Sequence, residues 1–105
     1  MKNIFDIPQQ PSDNELFEVL KQGKMIKIEK IVSYGHVSKE NEWYDQPKDE
    51  WVLLLQGKAK ILFENDFIKP LIAGEFLFIP KHQKHRVIET STSPPCIWLA
   101  VHGNF

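Results

Sequence analysis

The chain has 105 residues, room for one domain and one core. Thirteen Lys and Arg against fourteen Asp and Glu leave a formal net charge of -1, so there is no electrostatic case for a nucleic-acid partner. A single cysteine, Cys96, excludes an internal disulfide framework, and no stretch approaches the roughly 18 apolar residues of a membrane helix or the apolar core of a signal peptide. The expectation is a cytoplasmic protein with no membrane contact.

Residues 1–23 read as an N-terminal arm followed by a short helix, and residues 24–105 as a β-barrel. Met1 to Pro11 is polar and broken by proline, with Ile4, Phe5 and Ile7 free to pack on something. Ser12-Asp13-Asn14-Glu15 has the form of a capping box, with Ser at the cap and Glu three residues on. Leu16, Phe17, Val19 and Leu20 then supply a short apolar helical stripe, and Gly23 a stop.

From Lys24 the period changes to two. Ile26 and Ile28 alternate with Lys27 and Glu29, which predicts a half-buried strand. Residues 33–47 form a long connection with a short strand near Trp43-Tyr44. Further strands are predicted over 51–56, 59–64, 67–72, 76–79, 85–90 and 97–102. Gly57-Lys58 and Asn65-Asp66 mark turns, the latter a two-residue hairpin candidate. Many short strands punctuated by Gly and Pro indicate an all-β sandwich or barrel. Cys96, set in an apolar strand, reads as a small core filler.

Alternation places Glu50, Val52 and Leu54 on one side of their strand and Trp51, Leu53 and Leu55 on the other. Both sides are apolar. One can line a barrel interior, and the other needs cover from the helix, the N-terminal arm or a second subunit; a homodimer burying part of it is expected. If Glu50 and His85 line the same interior, a carboxylate and an imidazole converge in an apolar cavity suited to a metal or a small ligand.

Two motifs carry a family resemblance. Glu50, six intervening residues and Gly57 form the first; Gly74, five intervening residues, Pro80 and, five residues later, His85 form the second. In this order, joined by a hairpin, they resemble the cupins, and more narrowly a subgroup of small single-domain bacterial cupins. The resemblance covers about Tyr34 to His102. It implies a double-stranded β-helix, a jelly-roll barrel, that commonly binds a divalent metal.

The chain also departs from the family pattern. Cupins usually carry a His-x-His pair shortly before the glutamate, where this sequence has Tyr44 and Gln46, or Trp43 and Asp45 in a register one residue longer. His82 stands where glycine is usual, and Glu89 where asparagine often stands.

The metal ligands expected are Gln46, Glu50 and His85, with Asp45 and His82 as possible additions. Two oxygens and one nitrogen suit Fe, Mn, Ni or Zn with open water positions. Glu50 or Tyr44 would serve in proton transfer. His36 and Trp43 are pocket candidates, as are Phe76 and Phe78, although loop histidines and strand aromatics are more often structural. His102 reads as structural.

Three functions stay open. One is a metal-dependent enzyme acting on a small polar metabolite by dioxygenase, isomerase or lyase chemistry. The second is a module that binds or senses a small molecule without chemistry. The third is a barrel with a vestigial site.

Overall fold

Eight strands in two antiparallel sheets make up the computed structural model, which describes residues 2–8 and 13–105. They are β1 (Leu16–Gln22), β2 (Lys27–Ser33), β3 (Asp49–Gln56), β4 (Lys58–Phe63), β5 (Ile68–Ile72), β6 (Phe76–Ile79), β7 (His85–Thr90) and β8 (Cys96–Gly103). The larger sheet runs β1-β2-β8-β3-β6 and the smaller β5-β4-β7. The expected all-β barrel of double-stranded β-helix type is the architecture found.

The predicted N-terminal helix is a strand. Its expected cap, Ser12, lies outside the described residues. Leu16, Phe17, Val19 and Leu20 fit either period over so short a span, and an isolated two-turn helix has little stability of its own. The open edge of β2 offers backbone partners instead, and β1 takes them from Leu16 opposite Val32 to Gln22 opposite Lys27, with a bulge between Val19 and Lys21. Gly23 closes a turn, its N–H donating to the Ile26 carbonyl at 2.8 Å, where a helix stop was expected.

A second correction concerns β2. Ile26 is exposed and Glu29 is buried, the reverse of the expected facing. Pairing with β8 sets Glu29 opposite Ala100 and Ile31 opposite Trp98, so Glu29 and Ile31 point inward. On the outer side the buried Lys30 donates from Nζ to the Asp6 carbonyl of the N-terminal arm at 2.6 Å.

The core lies between the sheets, where Val52, Leu54, Ala59, Ile61, Phe63, Leu71, Ile79, Cys96, Trp98 and Ala100 form one cluster. Glu50, Val52 and Leu54 face it, as alternation predicts. The buried Cys96 donates from Sγ to the Lys58 carbonyl. Gly57 closes the β3–β4 turn at φ 94°, where a Cβ would meet Ser91 Oγ at 2.7 Å and Cys96 Sγ at 2.8 Å, so only glycine fits. The β4–β5 hairpin has a three-residue loop, not two: the Phe63 N–H donates to the Phe67 carbonyl, and Asp66 takes the left-handed position at φ 64°.

Candidate functional site

Three elements bring the site together. Glu50 opens the inward face of β3, opposite Ile79 of β6 and His102 of β8. His85 opens β7, opposite Phe63 of β4. The segment around Tyr44 crosses the barrel mouth and is pinned to β7: Tyr44 and His85 exchange backbone N–H to carbonyl bonds of 2.8 and 3.1 Å. The Gln46 carbonyl accepts from the His82 N–H at 2.8 Å. These bonds set Tyr44 and Gln46 beside His85 even though they lie far from it in sequence.

A cavity of roughly 90 Å³ results, and Tyr44, Gln46, Glu50 and His85 are among its lining residues. His85 Nε2 lies 3.8 Å from Glu50 Oε1, close enough to feel its charge but too far for a hydrogen bond. His85 Nδ1 donates to the Gln83 carbonyl at 2.9 Å, which assigns the proton to Nδ1 and leaves the Nε2 lone pair facing the cavity. Burial holds the His85 imidazolium pKa below its ordinary value, against the pull of the Gln83 carbonyl.

Glu50 is pushed up to about 7, first by burial and then by the Glu29 carboxylate, with Lys27 opposing. Its Oε1 and the Gln46 Oε1 are buried without a hydrogen-bond partner among the described residues. Buried acceptors in that state need a proton, a water, a cation or a ligand group. Tyr44, its ring centroid 5.5 Å from that of His85, is raised by burial and by Glu15, so its hydroxyl keeps its proton.

The other candidates lie elsewhere. Asp45 and His82 meet each other at 2.9 Å on the surface, away from the cavity lining. His82 has φ 63°, which accounts for the glycine usual at its position. His36 is a loop brace: its Nδ1 accepts from the Tyr34 N–H, and its Nε2 donates to the Asp13 carbonyl. Trp43 stacks on the Arg86 guanidinium at 5.4 Å. Phe76 and Phe78 are exposed, opposite Leu53 and Trp51 on the outer face.

Among the cavity residues that sequence reasoning did not single out are Glu15, Glu29, Trp98 and His102. Glu15, read as part of a capping box, accepts from the Ser33 hydroxyl. His102 Nε2 stands 3.4 Å from Glu29 Oε1, yet it is buried and makes no well-formed hydrogen bond. Period two along β8 sets Trp98, Ala100 and His102 on one face, and that was the available signal.

Comparison with known proteins follows the same lines. Residues 31–102 match the sequence model of the Cupin domain family. A crystal structure from Ralstonia eutropha JMP134, of a candidate mannose-6-phosphate isomerase, is 38% identical with TM-score 0.94, over 100% of this chain and 98% of that one. A cupin superfamily protein from Desulfitobacterium hafniense DCB-2 is 20% identical with TM-score 0.76, over 93% and 84% of the two chains. An uncharacterised double-stranded β-helix protein from Klebsiella pneumoniae shares the fold at 14% identity and TM-score 0.77, over 98% and 88%. No curated protein matches the chain.

Proposed function

The chain belongs to the cupin family, and from that premise we propose that its barrel holds a divalent cation and binds or transforms a small polar molecule. One observation carries the proposal: two buried oxygens without partners, Gln46 Oε1 and Glu50 Oε1, line the same cavity as an imidazole whose Nε2 is free. The fit is to a weak site. Among the described residues no three His, Cys, Asp or Glu side chains cluster as ligands. The third donor must then be the Gln46 amide, with Glu50 and His85 as the other two. Mn, Fe, Ni or Zn suits such a set, at lower affinity than an imidazole-rich site.

A bound cation would polarise a carbonyl or hydroxyl oxygen of the ligand. The chain's own residues would do the rest. While no cation is bound, Glu50, pushed up to about 7, can both take and give a proton near neutral pH. Isomerisation, the activity named for the Ralstonia relative, asks for such a group. Tyr44 keeps its hydroxyl proton and would orient the ligand by donating a hydrogen bond.

Binding without chemistry is the second reading. The 3.8 Å gap between Glu50 and His85, bridged by no hydrogen bond, leaves both groups free for ligand hydroxyls directly.

Metal content of the untagged protein separates the two readings. After equilibration with trace Mn, Fe, Ni and Zn and exhaustive dialysis, mass spectrometry should find metal in the wild type. His85→Ala and Glu50→Gln should hold roughly tenfold less or lower still. Equally low metal in all three proteins would refute the cation and leave binding. A second copy of the chain would cover the outer face bearing Trp51, Phe76 and Phe78. Sedimentation of the same samples should give twice the chain mass, and a monomer mass would refute that pairing. The lone buried cysteine suits the reducing cytoplasm.

A further inference from the structure

Next to the cavity lies an outer cleft of roughly 300 Å³, and Gln46 and His102 line both spaces. The two differ in charge. Among the described residues, the inner cavity is lined by three carboxyl side chains, Glu15, Glu29 and Glu50, and by no lysine or arginine. The cleft is lined by Lys27 and Lys48 and, among the described residues, by no acid. Lys27 shares its charge with Glu29 at 3.7 Å. Lys48 is half-buried and makes no salt bridge among the described residues. An anion in the cleft would give the Lys48 ammonium the counter-ion that the described residues do not supply. His102 lines both spaces, with its Nε2 turned to Glu29 Oε1 at 3.4 Å.

We infer that the cleft is an anion subsite, in which Lys48, Lys27 and His102 take the phosphate or carboxylate of a ligand whose uncharged polar end enters the Glu50–His85 cavity. The orientation follows from charge. In the cavity without a cation, an anionic group is repelled by the inner carboxyls and attracted by the outer ammoniums, while hydroxyl or carbonyl oxygens meet proton donors and acceptors inside. The ligand class is then a small polyol, sugar or hydroxy acid bearing one anionic substituent. The inference deepens the reading of the cavity as a ligand site, but the cleft itself stands apart from the metal.

The probes are inorganic phosphate and acetate, titrated into the full-length protein at low ionic strength and followed by NMR on the histidine rings and the backbone of residues 46–48. Saturable shifts are expected at His102 and Lys48, with His85 little moved. Tighter binding of phosphate would identify the group as a phosphate, and tighter binding of acetate as a carboxylate. Lys48→Met should weaken the tighter anion about tenfold, the effect of losing one charge-assisted contact. Lys58→Met, on the exposed end of β4, should not change it, and both variants should keep the wild-type melting temperature. No saturable shift at His102, or equal binding by wild type and Lys48→Met, overturns the subsite. His85→Gln separates this outcome from the cavity's: it should lose metal yet bind the anion as the wild type does, so either reading can fail alone.

Discussion

Glu50 and His85 stand 3.8 Å apart across the two sheets, and Glu29 and His102 stand 3.4 Å apart on neighbouring strands of one sheet. The two carboxylate–imidazole pairs adjoin, since His102 is the cross-strand partner of Glu50. Glu29 has the Lys27 ammonium at 3.7 Å, whereas no lysine or arginine among the described residues forms an ion pair with Glu50. Desolvation therefore governs Glu50, and the nearby Glu29 charge adds to it. For Glu50, burial outweighs the opposing Lys27 charge, and this brings its carboxyl within reach of proton exchange near neutral pH.

Replacing each carboxyl by its neutral isostere should break the symmetry in opposite directions. The folded pKa of Glu50 lies above its ordinary value, so as pH rises the unfolded chain ionises first. Stability should fall between about pH 4.5 and about 7 and stay lower above that. Glu50→Gln should thus gain up to about 3 kcal/mol at pH 8 and almost nothing at pH 4. Urea unfolding of chelator-treated protein at the two pH values measures this. A loss at pH 8 would mean that something holds the Glu50 carboxylate ionised.

Glu29→Gln is expected to lose stability, by roughly 1 kcal/mol at pH 7, because Lys27 and His102 are left facing an amide. The same unfolding experiment reads it, and a gain matching that of Glu50→Gln would erase the distinction between the two pairs. The smallest expected effect is on the rings. NMR titration should place both His85 and His102 below the ordinary imidazole range, each chiefly through burial. Glu29→Gln should push His102 lower still, since the carboxylate is what props it up, and leave His85 unmoved. Movement of both rings together would show that the two pairs titrate as one.

Much of the fold was legible in the chain. The inward face of β3 followed from period two alone, and the strands over 76–79 and 85–90 lie where the alternation and flanking turns put them. The segment at Leu16 was not legible, because four apolar residues in five satisfy both a helical and a strand period. The vacant edge of β2 chose between them. At the site, Glu50 and His85 could be paired through the motif spacing. Gln46 could be placed by counting back from Glu50, but its neighbours Asp45 and Trp43 were equal candidates until the Tyr44–His85 bridge set the register.

The sequence by itself determined the class of architecture, the strand periodicities, the turn glycines and the two acid–base residues. These rest on local sterics and on spacing, which a linear string contains. Only the tertiary structure decided that Glu29 turns inward, that His102 lines both the cavity and the cleft, and that Lys48 and Lys27 line the same cleft. Those outcomes depend on which strand edges pair and in what register, and a shift of one residue would turn each of those strand side chains to the opposite face.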